Sequence, residues 1–94
     1  MIKPREKFVA DEYVAPTGDL ESQVAQIFAE ALGVDRVGRN DSFYDLGGSS
    51  LQAVRICARL QRVLGVTVAP AALFETDVLA DFVDTLTGLP EATG

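Results

Sequence analysis

The apolar residues of this 94-residue chain recur at helical rather than strand spacing, and that period constrains the fold more than any other feature. Leu20, Val24, Ile27, Phe28 and Ala31 stand at i, i+4, i+7, i+8 and i+11, a stripe that predicts one buried helix face. Thr17 or Gly18 is placed to cap this helix, Asp19 and Glu21 suit its positive end, and Gly33 is its natural stop. A second helix is expected from Ser50 to about Leu64, ended by Gly65. Its core stripe is predicted to be Ala53, Ile56, Cys57, Leu60, Val63 and Leu64. A single helical turn, from Ala71 to Phe74, is expected after Pro70. Asp77 is expected to cap a last helix running to about Thr87, with Val78, Leu79, Phe82, Val83 and Leu86 inward and Gly88 and Pro90 as its stop. Val66-Thr67-Val68 leans towards β, but one such run cannot form a sheet. The expected fold is all-α: a small four-helix bundle of three main helices plus one short one, with a long loop between the first and second.

That loop, from Val34 to Tyr44, is rich in the turn formers Gly38, Asn40, Asp41 and Ser42. Val37, Phe43 and Leu46 are its expected anchors in the core. A loop of this length in so small a domain is expected to be functional or tightly packed. Asp41 and Ser42 are candidates to start a short helical turn around Phe43 and Tyr44. Asp41 and Asp45 are two acids four apart with no His or Cys beside them, a poor metal set.

Composition excludes several function classes. The chain has no histidine, so a Ser-His-Asp hydrolase is ruled out, and the Gly-x-Ser-x-Gly elbow is also missing. A net charge of −6 argues against nucleic acid as the main partner. No apolar run reaches the ~20 residues of a membrane span, and no signal peptide is visible. The lone Cys57 offers neither a disulfide framework nor a zinc set and reads as a small core hydrophobe. A soluble, cytoplasmic monomer is the simplest expectation.

The second helix has more apolar surface than folding requires. Leu51, Val54 and Ala58 lie on a side well away from the core stripe, with Arg55, Arg59 and Arg62 flanking them. This second patch is either covered by another element or left for a partner. The arginines are either its rim or an ordinary solvated face.

Asp45-Leu46-Gly47-Gly48-Ser49-Ser50-Leu51 opens that helix. Gly47 and Gly48 permit positive φ and close approach of a partner to the backbone. With Ser49 as N-cap, Ser50 falls at the first helical position with its hydroxyl free, where a phosphate meets unpaired N–H groups and the positive helix end. The alternative is a Gly-Gly turn followed by an ordinary capping serine. Asp41 and Phe43-Tyr44-Asp45-Leu46-Gly47-Gly48-Ser49-Ser50-Leu51 together resemble the core motif of the peptidyl carrier, or thiolation, domains of nonribosomal peptide synthetases. That motif runs Asp-x-Phe-Phe-x-Leu-Gly-Gly-x-Ser-Leu, and its last serine carries 4′-phosphopantetheine. Tyr44 stands where Phe is usual, and Ser49 where His or Asp is common. The resemblance extends over about Tyr13 to Leu86.

It implies a right-handed four-helix bundle and a non-catalytic carrier. A phosphopantetheinyl transferase would attach the arm at Ser50, beside Gly48 and Ser49. An adenylation enzyme would load the arm with an aminoacyl or peptidyl group as a thioester. Condensation, thioesterase or tailoring enzymes of secondary-metabolite (including antibiotic) biosynthesis would receive the group. Leu51, Val54, Ala58, Leu73 and Phe74 are the expected partner face. Residues 1–16 read as an extended leader or linker, with Glu12-Tyr13-Val14-Ala15-Pro16 resembling the junction to a preceding adenylation domain; residues 17–87 read as the carrier domain and 88–94 as a loose tail. A free-standing carrier and one domain of a longer synthetase both fit. Two other readings are an acyl carrier of fatty acid or polyketide synthesis and an unmodified helical adaptor. Asp before the serine is usual in acyl carriers, whereas this chain has the Gly-Gly of the peptidyl type.

Overall fold

The computed structural model describes residues 2–87, so the expected stops Gly88 and Pro90 and the tail 88–94 lie outside the described residues. The chain forms a 3-10 turn (Arg5–Lys7) and four α-helices: α1 (Gly18–Leu32), α2 (Ser50–Leu64), α3 (Ala71–Glu75) and α4 (Leu79–Thr87). Among the described residues the only β features are isolated bridges, Lys3 with Val34 and Ser42 with Val78. The all-α expectation therefore holds.

Helix α1 packs against both α2 and α4. Val24 and Phe28 of α1, Ala53, Ile56 and Leu60 of α2, Leu73 of α3, and Leu79 and Phe82 of α4 are fully buried in one core. Phe28 joins two sides of it, with ring centroids 5.7 Å from Phe82 and 6.2 Å from Phe43. Both long helices end on a left-handed glycine, Gly33 at φ 71° and Gly65 at φ 70°, a conformation that costs a residue with a Cβ. The loop is held inward by Val37, Phe43 and Leu46, all buried as the pattern predicted.

Two local expectations need correction. Val63, assigned to the core stripe of α2, is 54% exposed. It sits at the edge of the stripe near the helix end, where the other elements no longer cover it. Asp77 does not cap α4, because its carboxylate accepts a hydrogen bond from the Ser42 hydroxyl. The first turn of α4 is satisfied by the loop instead: the Leu79 N–H donates to the Asp41 carbonyl at 3.0 Å and the Ala80 N–H to the Arg39 carbonyl at 2.9 Å. Helix α4 is thus capped by backbone, and the loop is pinned in return.

The leader, whose sequence shows no period, makes contacts that no spacing announced. Arg5 is 1% exposed and makes a bidentate pair with Asp41, itself 5% exposed, with Nη2 to Oδ1 at 2.8 Å. The remaining donors of Arg5 reach the Asp11 carbonyl at 2.9 Å and Glu6 at 3.0 Å. Asp41 also accepts the Gly38 N–H at 2.8 Å. Further along, the Arg39 N–H donates to the Val14 carbonyl at 2.9 Å, and the Arg36 guanidinium stacks 3.9 Å from the Tyr13 ring centre. A Cβ at Gly38 would come within 2.8 Å of the Val14 oxygen, so the leader and the loop meet where only glycine fits. The leader therefore lies docked along the loop.

A buried charge whose partner is removed is strongly destabilising. Arg5→Met is expected to cost about 3–5 kcal/mol in urea unfolding, because it strands the Asp41 carboxylate. A cost below about 1 kcal/mol would mean that the pair is solvated like an ordinary surface ion pair.

Glu21 makes stability depend on pH in the acid range. The Arg39 guanidinium, 3.0 Å from Glu21 Oε1, holds the Glu21 carboxyl below its ordinary range, helped by the Thr17 N–H. A lowered folded pKa contributes stability that is complete above the unfolded value of 4.5 and is lost as pH falls through the lower folded value. Thermal melts from pH 6 down to about pH 3 should show this loss, and Glu21→Gln should flatten the acid limb while lowering stability at pH 7.

Candidate functional site

The turn that delivers the two serines is built from the core outward. Leu46 N–H donates to the Ser42 carbonyl at 3.1 Å, Gly47 N–H to that of Tyr44 at 3.0 Å, and Gly48 N–H to that of Phe43 at 2.9 Å. Gly47 closes the turn at φ 88°. Gly48 is required for a different reason from the one expected. A Cβ there would lie 2.4–2.5 Å from three carbons of the Phe43 ring. Its lack of a side chain serves internal packing against the fully buried Phe43.

Ser49 is the N-cap of α2 and forms a capping box with Gln52. The Gln52 side-chain oxygen accepts the Ser49 N–H at 3.2 Å and also meets the Ser49 hydroxyl. In the box the Ser49 oxygen serves the Gln52 N–H. Of the four donors at the helix start, the N–H groups of Ser50 and Leu51 remain open. Ser50 is exposed at the first helical position. A phosphate ester on its hydroxyl would have those two N–H groups and the positive helix end beside it, so the residues present fit a phosphate-linked group.

The second apolar patch of α2 is exposed: Leu51 is 56% and Val54 52% accessible, and Ala58 is also exposed. Two residues assigned to the same face behave differently. Leu73 is fully buried because α3 turns it into the core beneath, so it offers a partner no surface. Phe74 is half-buried and stacks between Phe43, 5.7 Å away, and Tyr44, 5.4 Å away. Tyr44 stands out in the sequence only as a departure from the motif, yet it is 48% exposed and its hydroxyl donates to the Phe74 carbonyl at 3.3 Å. The substitution of Tyr for the usual Phe was the available signal, since it puts a hydroxyl at the ring tip where water or a carbonyl must satisfy it.

Burial pushes the Cys57 thiol up from its ordinary value, which keeps it a packing group rather than a nucleophile. No cluster of three or more candidate metal ligands occurs among the described residues.

Residues 22–86 match the family described as "Phosphopantetheine attachment site", and the chain belongs to that family. Over 73 residues it is 45% identical to malpibaldin synthetase of Mortierella alpina, a match that covers 78% of this chain and 1% of the synthetase. Over 79 residues it is 38% identical to gramicidin S synthase 2 of Brevibacillus brevis, covering 83% of this chain and 2% of the synthase. The chain thus spans a very small part of these curated relatives. Among solved structures, an active-site mutant of a peptidyl carrier protein superposes with TM-score 0.76 at 31% identity, over 83% of this chain and 87% of that one. The carrier in a complex of a phosphopantetheine transferase with coenzyme A and a peptidyl carrier protein gives TM-score 0.76 at 32% identity, over 81% and 99%. The chain is a carrier domain of the peptidyl type, in the family that holds intermediates on covalent 4′-phosphopantetheine.

Val54→Asp is expected to change folding stability by only about 0.5 kcal/mol, as exposed positions do. Leu60→Ala, at a fully buried position, should cost roughly 2–5 kcal/mol. Thermal melts of the two variants compare the faces of α2 directly, and equal losses would mean that the Val54 patch is covered in solution.

Proposed function

We propose that Ser50 is the attachment point and that the chain carries aminoacyl or peptidyl intermediates without catalysing any step itself. The observation that carries this reading is an exposed serine at the first helical position, next to a Ser49 already committed to Gln52. When bound, 4′-phosphopantetheine supplies the thiol on which cargo is held as a thioester. The chain's own residues do three things. Phe43 and Gly48 hold the turn rigid, the open N–H groups of Ser50 and Leu51 would hold the phosphate, and α2 presents the surface around it.

A separate phosphopantetheinyl transferase installs the arm in this reading. An adenylation enzyme loads it, and condensation, thioesterase or tailoring enzymes take the cargo onward. Leu51, Val54, Ala58 and Phe74 form the face these enzymes meet. Support comes from the solved carrier in complex with a transferase and coenzyme A, and from one joined to an adenylation domain bound to phenylalanyl-adenylate. The carrier unit is residues 17–87 with 1–16 as its docked leader, and the reading places it in the cytoplasm. No helix among the described residues is long and apolar enough to cross a membrane.

Coexpression with a broad-specificity phosphopantetheinyl transferase should add the mass of one arm, and peptide mapping should find it on Ser50. Ser50→Ala should remain folded and unmodified. An arm on Ser49, or modification of the Ser50→Ala variant, would overturn the assignment. The arm should then be chargeable with an amino acid by an adenylation enzyme of the same pathway; loading only by a malonyl transferase would make the protein an acyl carrier instead.

A further inference from the structure

Charge in this chain is segregated. Helix α2 carries Arg55, Arg59 and Arg62 and no acid, so it bears +3. The rest of the chain has five of the eight cations and all fourteen acids, 5 − 14 = −9, which sums with α2 to the overall −6. The three arginines stand at i, i+4 and i+7 and so form one stripe. It runs directly beside the exposed stripe of Leu51, Val54 and Ala58, since Arg55 is four residues from Leu51 and Arg62 four from Ala58. Among the described residues, Arg59 is the one of the three that makes an ion pair, with Glu30 at 3.0 Å. Arg55 and Arg62 are exposed and have no carboxylate within ion-pair distance among the described residues. The guanidinium groups border a groove of about 310 Å³ between α1 and α2, with Ile27, Ala31 and Ala58 among its lining.

We infer that this arginine stripe is the charged rim of the surface on which the enzyme that modifies Ser50 docks, and that this enzyme meets it with carboxylates. The inference rests on the proposed attachment at Ser50. Before the arm exists, the reacting hydroxyl lies on the protein surface, so the modifying enzyme must sit on α2 itself. An interface of ordinary size buries about 800 Å² on each side, equivalent to a disc of radius about 16 Å. At 1.5 Å per residue, Arg55 and Arg62 lie about 7.5 Å and about 18 Å along the axis from Ser50. With Ser50 at its centre, Arg55 lies inside that footprint and Arg62 about 2 Å beyond its margin, within reach of a long side chain. Hot contacts at a docking surface cluster near its centre, with exposed charges at the rim setting approach and register. An apolar stripe beside unpaired guanidiniums on an otherwise acidic molecule has that arrangement, and the complementary partner surface is apolar with an acidic border.

The test is the kinetics of arm attachment to the apo-protein, with a broad-specificity phosphopantetheinyl transferase and coenzyme A as the probes. Arg55→Gln/Arg62→Gln removes two positive charges from the stripe without reversing charge at the end of α2. Lys3→Gln/Lys7→Gln makes the same change in net charge at exposed positions elsewhere. At low salt, the arginine variant should raise KM for the apo-protein roughly tenfold with kcat unchanged, a size typical of lost electrostatic steering. The lysine variant should match the wild type. Raising ionic strength to about 0.5 M should bring wild type and arginine variant together, because exposed charges are screened there. Thermal melts confirm that each variant is folded. Equal KM values for the arginine variant and wild type at low salt, or an equal rise in the lysine variant, would overturn the inference. A wild-type protein that accepts no arm would instead overturn the Ser50 assignment on which it rests.

Discussion

The contact between the Phe43 ring and Gly48 is what the rest of the site depends on. Phe43 is fully buried and makes edge contacts with Phe28 of α1 and Phe74 of α3, so it belongs to the core. Its backbone carbonyl takes the Gly48 N–H, and its ring fills the space where a side chain at Gly48 would stand. The residue before Ser49 is therefore fixed by the same packing that holds the helices together. A carrier needs this coupling, because a prosthetic arm is useful only if its root is held while its tip moves. The chain supplies rigidity at the turn before Ser49 through sterics, and local hydrogen bonding at Ser49 and Gln52 sets where the helix begins.

Behind that contact lies a buried ion pair. Removing Arg5 and Asp41 from water costs several kcal/mol for each charge, and the cost is offset only when geometry and remaining hydrogen bonds are good. Here they are: Asp41 accepts Arg5 and the Gly38 N–H, while Arg5 also reaches the Asp11 carbonyl and Glu6. Glu6 is correspondingly held below the ordinary carboxylate range, chiefly by Arg5 and further by Arg36. The pair does more for register than for net stability. It sets one position of the leader against the loop, and the Asp41 carbonyl in turn accepts the first N–H of α4. Leader, loop and last helix meet at one residue.

Much of the fold was legible because helix burial leaves a period. The bounds of α2, Ser50–Leu64, and its glycine stop followed from spacing and cap chemistry, which act within a few residues. The difference between Ser49 at the cap and Ser50, exposed at the first helical position, was legible for a similar reason, since it rests on cap chemistry alone. Two kinds of feature left no such trace. Val63 fits the apolar stripe, and its exposure depends on where neighbouring elements end. Leu73 and Phe74 are adjacent apolar residues in a helix too short to show a period, so which one faces inward was open.

Sequence by itself determined the limits of α1 and α2, the capping role of Ser49 and the exposed position of Ser50, because these rest on local dihedral and hydrogen-bond preferences. Tertiary structure alone decided that Arg5 is buried on Asp41, thirty-six residues away, that Asp77 bonds Ser42 rather than its own helix, and that Gly48 exists for Phe43. Each of those is a choice of partner across the chain. A charged or polar side chain satisfies its hydrogen bonds equally well with water or with any suitable group, so its identity names what it can bond but not what it does bond. Only the packing that removes water selects the partner.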